Sequence, residues 1–421
     1  SIGVFDMEAS ATGVAFTDLD LDPAQVGGDV TWTPPPDDSA VADYVVYLST
    51  DTVGSTRSAE EAFAVGSNQG LLPEDSALAS YLHVLVYTRS SMVEQTTPAA
   101  VALADSARSV SGVAFTDLDL DLTEYGGPVT WAEPTLTSLV AHYSVYLAQD
   151  AAGTGRSFVG DVAVGTTTIV LQADEPTASH AYLAVYTKSS LFEQSTPVAF
   201  GINDNSATAS SLAITDEDVD LGQYGGTATW APAVDMTYVV KYVVYLAADA
   251  AGTGRLDVSG ELAPSVNVLV IPPDKTPPTL TVYTKSSFVE QTIPAALPIS
   301  DSVATVAGFE FVDKDLDSGD LGGIIKFTQS GDLHLVLNYH VYIGEDGVGT
   351  GRSQIGPDLA VANAEQIVLT DTITTGSYSH VLVYARSSIQ EQTTPAVIAY
   401  TAISDAASEV TALSFVDKDL E

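Results

Sequence analysis

The sequence predicts an all-β chain in which four antiparallel β-sandwich domains follow one another in a linear array. A segment of about a hundred residues recurs four times along the 421 residues. Within each copy, short runs rich in Val, Tyr and Thr alternate apolar with polar residues, and Gly, Pro, Asp and Ser separate these runs. About seven such strands in about a hundred residues are typical of a two-sheet sandwich.

One acidic segment shows the repeat most clearly. It reads FTDLDLD at Phe16 and Phe115, ITDEDVD at Ile214, FVDKDLD at Phe311 and FVDKDLE at Phe415, in steps of 99, 99, 97 and 104 residues. Other landmarks keep this spacing, namely Trp32, Trp131, Trp230 and Phe327, and the glutamates Glu94, Glu193, Glu290 and Glu391 of an EQ(S/T)xP motif. We therefore predict repeats at 12–110, 111–209, 210–306 and 307–410. The last strand of an earlier repeat is expected at 1–11, and the first strand of a later one at 411–421.

The second repeat shows the predicted strands in order. Strand A is VSGVAFT at 110–116, strand B surrounds Trp131, and strand C is HYSVYLA at 142–148. One or two short strands follow between RSFVG and VAVGT, and then come strand E as TIVLQ, strand F as YLAVYT and strand G as TPVAFGIND. A large indole on strand B fills the space between two sheets, so we expect Trp32, Trp131 and Trp230 to be buried, without a ligand role.

Three features make these repeats resemble the fibronectin type III family. They are a Trp on the second strand followed by Pro (TWTPP, TWAEP, TWAP), a YxVYL third strand, and a sixth strand ending in YT(K/R)SS before a Pro-led last strand. The resemblance covers all four repeats, but the fourth departs from it with Phe327 in place of the Trp and TQSGD in place of the Pro-rich turn. It implies a module for binding or spacing in a large surface or filament protein, because this fold is rarely catalytic.

Charge and composition exclude several functions. With 14 basic and 55 acidic residues the net charge is −41, which repels phosphate backbones and anionic lipid, so we expect neither nucleic-acid binding nor membrane insertion. The six histidines form no metal-binding motif, and no nucleophile–base pair recurs from repeat to repeat. We therefore expect no enzyme activity. The absence of cysteine excludes disulfides and thiolate metal sites.

The acidic triplets are candidates for a calcium site. In Asp117, Asp119 and Asp121 the alternation places three carboxylates on one side of an extended segment, where oxygen ligands can converge on a hard cation. Strand A leads to the outgoing end of its repeat, so the aspartate of the outgoing linker should lie nearby. The candidate metal ligands at the three joints are Asp18, Asp20, Asp22 and Asp105; Asp117, Asp119, Asp121 and Asp204; and Asp216, Asp218, Asp220 and Asp301.

The same joints are predicted to concentrate the scarce cations. An Arg after a Gly/Ser-rich turn and a Lys or Arg at the end of strand F of the next repeat should face each triplet. These predicted interface cations are Arg57, Arg156, Arg255, Lys188, Lys285 and Arg386. Four carboxylates against two cations leave a charge of −2, which one calcium ion would cancel. Two alternatives stay open: a purely ionic joint with carboxylates within about 4 Å of Arg156 or Lys285, and a solvated acidic loop.

A pair of tyrosines in each repeat is a candidate contact surface. On strands C and F the apolar register should face the core, so the remaining Tyr of each strand should point outward. Because C and F are neighbours in this fold, each repeat would present one Tyr pair on an outer sheet face, for protein or sugar. The predicted interface tyrosines are Tyr47 and Tyr87, Tyr146 and Tyr186, Tyr245 and Tyr283, and Tyr342 and Tyr384.

The leading functional hypothesis is a non-catalytic structural segment of a long extracellular filament or cell-surface appendage. Its partners would be copies of itself or further repeats of the same chain. One alternative is the spacer region of a large adhesin, and another is a glycan-binding repeat module that uses the Tyr faces. Calcium is the one cofactor that the sequence suggests.

Overall fold

The computed structural model describes residues 8–59, 61–374, 377–399 and 408–418. The chain divides into two compact units, Ser1–Asn205 and Ser206–Glu421. This division lies five residues before the predicted start of the third repeat at residue 210. The boundaries of the four repeats stay predictions. No helix in the described ranges is long and apolar enough to cross a membrane.

The first unit contains fourteen strands in its described residues. Those of the first repeat are β1 (Thr12–Phe16), β2 (Gln25–Thr33), β3 (Asp43–Ser49), β4 (Glu61–Ala64), β5 (Gln69–Ala77), β6 (His83–Arg89) and β7 (Ala99–Ala102). Those of the second are β8 (Ser111–Phe115), β9 (Glu124–Ala132), β10 (His142–Ala148), β11 (Ser157–Ala163), β12 (Thr168–Pro176), β13 (Tyr182–Lys188) and β14 (Val198–Gly201). Every strand predicted for the second repeat is therefore present.

The second unit repeats this order. The third repeat has β15 (Ser210–Asp216), β16 (Tyr224–Ala231), β17 (Lys241–Ala247), β18 (Leu256–Leu262), β19 (Val268–Lys275), β20 (Thr279–Lys285) and β21 (Ala295–Pro298). The fourth has β22 (Ala304–Asp313), β23 (Asp320–Gly331), β24 (Asn338–Gly344), β25 (Ser353–Gln354), β26 (Leu359–Ala360), β27 (Glu365–Thr374), β28 (His380–Arg386) and β29 (Ala396–Ala399). One 3₁₀ turn at Leu333–Leu335 precedes β24.

Each repeat contains two antiparallel sheets. In the second repeat, β9 lies between β8 and β12, and the other sheet has the order β11-β10-β13-β14. The first and third repeats have the same topology, and in the fourth both β25 and β26 pair with β24. The predicted all-β fold of antiparallel sandwiches is confirmed.

The core of each repeat lies between its two sheets. In the second repeat the Trp131 ring centroid on β9 lies 5.7 Å from that of Tyr143 on β10, in an edge-on contact. Val145 and Val185 pair on neighbouring strands of the same sheet and are buried beside them. Trp32, Trp230 and Phe327 are buried at the same position of their repeats. The prediction that the tryptophans are core residues is confirmed.

The two ends of the chain lie partly outside the described residues. Of the strand predicted at 1–11, residues 1–7 lie outside them, and Ala11 packs into the core of the first repeat. Of the strand predicted at 411–421, residues 411–418 form no strand and are exposed, and 419–421 lie outside the description.

Trp131→Ala should lower the free energy of unfolding of the second repeat by about 3 to 5 kcal/mol, because it leaves a cavity between the sheets. Trp131→Phe is the matched control and should cost less, since Phe327 fills the same position in the fourth repeat. Calorimetry of the full chain measures both. An unfolding profile unchanged by Trp131→Ala would contradict the core assignment.

Candidate functional site: the joint between repeats

The first aspartate of each triplet closes the turn between the first two strands. Asp18 Oδ1 accepts hydrogen bonds from the backbone N–H groups of Asp20 at 3.1 Å and Gly27 at 3.0 Å. Its Oδ2 accepts from the N–H of Ser106, in the outgoing linker, at 2.8 Å. The carboxylate thus ties the turn to the linker. The equivalent donors are Asp119, Gly126 and Asn205 to Asp117, and Asp218, Gly225 and Ser302 to Asp216.

The second aspartate holds a bulge on the fifth strand of the repeat. Asp20 Oδ2 accepts from the N–H of Asp75 at 2.7 Å. Asp75 has a φ of 60°, in the left-handed region that few non-glycine residues adopt, and the ladder between β2 and β5 is irregular there. Asp119 and Asp218 hold Asp174 and Asp274 in the same way, at 2.6 and 2.7 Å.

The third aspartate reaches the next repeat. Asp22 accepts from the N–H groups of Ser195 at 2.6 Å and Thr196 at 3.0 Å, both of which follow the EQ pair of the second repeat. In the second unit Asp220 accepts from Thr393 at 2.7 Å and Thr394 at 3.2 Å. In each of these two joints, one carboxylate of the preceding repeat binds two backbone N–H groups of the following repeat.

The aliphatic residue before that aspartate enters the core of the next repeat. Leu21 is only 1 % exposed and belongs to the same core cluster as Val110 and Val140 of the second repeat. Val219 is 2 % exposed and lies in the core of the fourth repeat. We call Leu21–Asp22 and Val219–Asp220 plugs.

The EQ(S/T)xP motif provides the socket for the plug. Gln194 is buried, and its Nε2 donates to Leu21 O at 2.7 Å and to Ser109 Oγ at 3.0 Å. Gln392 likewise donates to Val219 O at 2.9 Å and Ala304 O at 2.8 Å. We define the socket as this Gln, the two N–H groups after it and the apolar residues around the aliphatic side chain.

These contacts correct two of the alternatives for the triplets. A solvated acidic loop is wrong, because all nine aspartates of the first three triplets are buried. The ionic joint is not found within the described residues of either unit: Arg156 pairs with Glu193 at 2.9 Å and Lys285 with Glu261 at 2.6 Å, each within its own repeat.

The other predicted interface cations also act within their repeats. Arg57 pairs with Glu94 at 2.7 Å and Arg255 with Glu290 at 2.9 Å. Arg386 lowers the pKa of Asp358 as a minor contribution beside the hydrogen bond from Gln354. Lys188 ends β13, where its backbone pairs with His142. Arg57, Arg156 and Arg255 are thus paired with glutamates of their own repeats. In the two joints described above, backbone N–H groups bind the aspartate where cations were predicted.

The tyrosine pairs do not form an exposed face. Tyr87, Tyr186, Tyr283 and Tyr384 are almost fully buried, Tyr47 is buried, and Tyr146, Tyr245 and Tyr342 are partly buried. They do lie on the side of the sheet opposite the core, as the register predicts, but an arginine covers them. The Arg156 Cζ atom lies 4.4 Å from the Tyr146 ring centroid and 4.5 Å from that of Tyr186.

This arrangement, which we call the tyrosine–arginine clamp, occurs in all four repeats. The two rings meet edge to face with centroids 5.4 to 5.7 Å apart. The first Tyr donates to the Glu of the EQ pair, as Tyr146 Oη does to Glu193 Oε2 at 3.1 Å. Gly153 (φ 80°) allows the closing turn, because a Cβ there would lie 1.9 Å from Tyr186 Oη. The clamps are Arg57 on Tyr47 and Tyr87, Arg156 on Tyr146 and Tyr186, Arg255 on Tyr245 and Tyr283, and Arg352 on Tyr342 and Tyr384.

The clamp sets the position of the socket. Glu193 receives both Arg156 and Tyr146, and its backbone pairs with Lys188 at the end of β13. The next residue, Gln194, holds the plug. Sequence reasoning singled out these Arg, Tyr and Glu residues separately but missed their contact. The available signal was that the first Tyr always precedes the Arg by ten residues and the second Tyr always precedes the Glu by seven.

The linker aspartates lie beside the triplets, as predicted. Asp105 accepts from Ala24 N at 2.8 Å, Asp204 from Thr123 N at 2.9 Å and Asp301 from Gly222 N at 3.0 Å. In the described part of the chain, however, the groups of three or more carboxylates with oxygens within 4.8 Å of one another are Asp119, Asp121, Glu124 and Asp174, and Asp218, Asp220 and Asp274. Sequence reasoning missed Glu124, Asp174 and Asp274 because they lie outside the triplets.

Burial changes the titration of these carboxyl groups. It raises the pKa of Asp117 to about 6, although three backbone N–H groups donate to this side chain and act in the opposite direction. Burial, reinforced by the charges of Asp121 and Asp119, also raises the pKa of Glu124. The other carboxyl groups whose pKa burial raises are those of Asp18, Asp20, Asp216 and Asp218.

Leu21→Ala should loosen the joint between the first two repeats and leave both folded, because it truncates the one side chain that the plug adds to the core of the second repeat and leaves the other core residues in place. We expect the joint to lose about 2 to 5 kcal/mol. The chain has no cysteine, so spin labels on Asp29→Cys and Thr168→Cys report one distance by pulsed electron paramagnetic resonance. The distance distribution should broaden. Leu82→Ala, at an exposed leucine, is the control, and an equally narrow distribution in both variants would refute the plug.

Acidification from pH 7.5 to 5 should stabilise the second repeat through Asp117. Its folded pKa of about 6 exceeds the unfolded value of 3.8, so its contribution is fully present below pH 3.8 and is lost as the pH rises through 6. Over this pH range we expect a gain of at most about 1.5 kcal/mol. Denaturant unfolding followed by Trp131 alone, with Trp32→Phe and Trp230→Phe, measures it. Asp117→Asn should flatten the pH dependence; an unchanged slope would show that other groups cause it.

Arg156→Lys should destabilise the second repeat by about 1 to 2 kcal/mol, because lysine cannot cover two rings and bind Glu193 with one planar group. It should also weaken the hydrogen bond from Gln194 Nε2 to Leu21 O, because Gln194 follows Glu193 directly. Thermal unfolding and the label distance described for Leu21→Ala measure the two effects. Lys326→Arg, at an exposed ion pair of the fourth repeat outside clamp and joint, is the control, and equal effects of both substitutions would contradict the role given to the clamp.

Comparison with known proteins gives fold-level neighbours only. No family model matches the chain, and no curated protein does. Among solved structures, the FN1–FN3 domains of chicken CNTN1 are 12 % identical with a TM-score of 0.22, over 69 % of this chain and 97 % of that one. The central fibronectin-III array of RIM-binding protein is 14 % identical with a TM-score of 0.17, over 72 % and 100 %. The fold assignment rests on the sheets described above, which are those of tandem fibronectin type III-like repeats.

Proposed function

We propose that this chain is a structural repeat segment of a long extracellular filament or cell-surface appendage, in which joints between repeats resist bending. The observation that carries the proposal is the plug: Leu21 and Val219 are buried in the following repeat, and Asp22 and Asp220 bind its backbone. A flexible linker would need none of these contacts.

The charge of the chain supports an exposed, soluble role. A net charge of −41 keeps such arrays apart from one another and from anionic surfaces. Few cations are available, and in all four repeats one of them stabilises a clamp beside the socket. No described feature supports catalysis, and repeat arrays of this fold are typically non-catalytic scaffolds.

An adhesin spacer is the alternative, since a stiff array also serves to carry a binding domain away from a surface. The glycan-binding alternative loses its motivating observation, because the tyrosine rings on which a sugar would stack lie beneath arginines. Small-angle scattering of the full chain tests the structural proposal. Leu21→Asp combined with Val219→Asp should increase flexibility and leave the circular dichroism unchanged. A chain equally flexible with and without these substitutions would refute stiff joints.

Calcium at the joint is a second proposal, now with a different set of ligands. Glu124 Oε2 is buried without a hydrogen-bond partner, beside oxygens of Asp119, Asp121 and Asp174. Carboxylate oxygens are the ligands that calcium prefers. Asp117 and Asp204 lie outside this group. They accept hydrogen bonds from the backbone of Asp119 and Thr123 and would hold the turn that carries the calcium ligands.

Isothermal titration of the full chain with calcium tests this proposal. Glu124→Gln should weaken binding at least tenfold, and Gln25→Glu, which introduces the same group in the first repeat, should add a site. Scattering with calcium, with chelator and at high salt then shows whether the ion stiffens the array. No heat of binding at millimolar calcium would exclude calcium and leave the plug intact.

A further inference from the structure

We propose that the second repeat binds a zwitterionic small molecule, an α-amino acid with an apolar side chain, in a polar cavity beside strand β8. The cavity has a volume of about 270 Å³ and lies between residues 107–111, which lead into β8, and residues 133–136, which follow β9. Arg108 and Glu133 bring opposite charges to its wall. This binding site goes beyond the proposed structural function and does not depend on it.

Arg108 and Glu133 both depart from the pattern of the repeats. Where Arg108 stands, the other three repeats have alanine, and where Glu133 stands they have proline or glutamine. The aligned residues are Ala9, Ala207 and Ala304 for Arg108, and Pro34, Pro232 and Gln329 for Glu133. The second repeat is therefore the only one of the four with this pair of charges.

Arg108 pairs with no carboxylate of the described residues, although the chain has 55 acidic side chains. Its Nη1 donates to Ala107 O at 2.8 Å, and its Nε is buried without a hydrogen-bond partner. Other arginines of the chain do pair with carboxylates, namely Arg57, Arg89, Arg156, Arg255 and Arg352. A buried donor without a partner costs free energy, and a ligand that accepts from this guanidinium would recover it.

The remaining edge of the Arg108 guanidinium suits a carboxylate. With Nη1 bound to Ala107, the N–H groups of Nε and Nη2 remain, and they lie parallel on one side of the planar group. A carboxylate can accept both at once, in the bidentate arrangement that arginine makes with planar acids. Because Nε is covered, we expect a rotation of the Arg108 side chain to turn this edge into the cavity on binding.

Glu133 is fixed in position and can bind an ammonium group. Its Oε1 accepts from Tyr143 Oη at 3.0 Å and from Gly165 N at 2.6 Å. Both of these bonds use one oxygen, so Oε2 keeps its capacity to accept. Glu133 and Arg108 line the same cavity but form no ion pair with each other. The two charges are thus separate and can each take a different group of one ligand.

Opposite charges in one cavity favour a ligand that carries both charges. A simple anion would be attracted by Arg108 but repelled by Glu133 and by the net charge of −41, and a simple cation would be repelled by Arg108. A zwitterion has no net charge and can engage both side chains at once. In an α-amino acid the carboxylate and the ammonium group are attached to the same carbon, so a small cavity can hold both.

The rest of the lining fits the remainder of an amino acid. Pro134 and the largely exposed Leu136 offer apolar surface to an aliphatic side chain. Ser109, Ser111 and Thr135 offer hydroxyl groups to the polar end of the ligand. The volume of 270 Å³ equals that of roughly nine water molecules. An amino acid the size of leucine is therefore a better fit than a larger, drug-sized molecule.

Nuclear magnetic resonance titration of the full chain with L-leucine tests the proposal. The chain has seven arginines, so the Nε–Hε signal of Arg108 can be resolved and then assigned by its loss in Arg108→Ala. This signal should shift saturably, with a dissociation constant in the millimolar range. Isocaproate, which lacks the ammonium group, and isoamylamine, which lacks the carboxylate, are the matched ligands. Each should bind at least tenfold more weakly than leucine.

Arg108→Ala should abolish leucine binding and leave the repeat folded. The backbone supports this expectation, because Ala304 at the same position donates its N–H to Val219 O at 3.1 Å, as Arg108 does to Leu21 O at 3.0 Å. Saturation transfer from the protein to the leucine methyl groups reports binding in the variant, and circular dichroism reports its fold. Leucine binding that survives in a folded Arg108→Ala chain would overturn the proposal.

Glu133→Gln separates the two halves of the site. It should weaken leucine binding at least tenfold and should not weaken the binding of isocaproate, which has no ammonium group for Glu133 to accept. Lys326→Ala and Glu365→Gln, at an exposed ion pair of the fourth repeat, are the charge-matched controls and should have no effect. Equal binding of leucine and isocaproate, equal effects of the controls, or no saturable shift of the Arg108 signal would each refute the site.

Discussion

The structure depends on buried aspartate carboxylates that accept hydrogen bonds from backbone N–H groups. Removing a carboxylate from water is costly, and charge-assisted bonds to correctly placed N–H groups offset that cost. Asp18, Asp20 and Asp22 each satisfy a different piece of backbone: the turn and linker, the fifth strand, and the next repeat. One seven-residue segment therefore organises a repeat and attaches it to its neighbour.

The clamp and the joint are connected through consecutive residues of the EQ(S/T)xP motif. Arg156 covers two rings and holds Glu193, and the adjacent Gln194 and Ser195 hold Leu21 and Asp22. Positive charge is scarce in this chain, and the repeats use it where it fixes the geometry of a loop. Backbone donors carry no net charge, so they can bind an acidic plug without adding cations to the surface.

The sequence was sufficient to predict the strands, the buried tryptophans and the location of the joint. Those features follow from periodicity, side-chain volume and the spacing of the triplets. The sequence was insufficient to predict the partners of Asp22 and Arg156. Every residue except proline has a backbone N–H, so nothing in the sequence marks Ser195 as the donor, and the arginines were the only visible candidates. Register showed which way Tyr186 points, but it cannot show that Arg156 folds back over the ring.

The hydrogen bond from Asp75 N to the Asp20 carboxylate also bears on how tandem copies avoid misfolding. β5 is an edge strand, and edge strands of similar neighbouring domains can pair wrongly during folding. A bulge fixed in the left-handed conformation interrupts the regular ladder and twists the strand. A bulged, twisted edge strand is a poor partner for the edge strand of a neighbouring domain. Asp119 and Asp218 hold the same bulge in the second and third repeats.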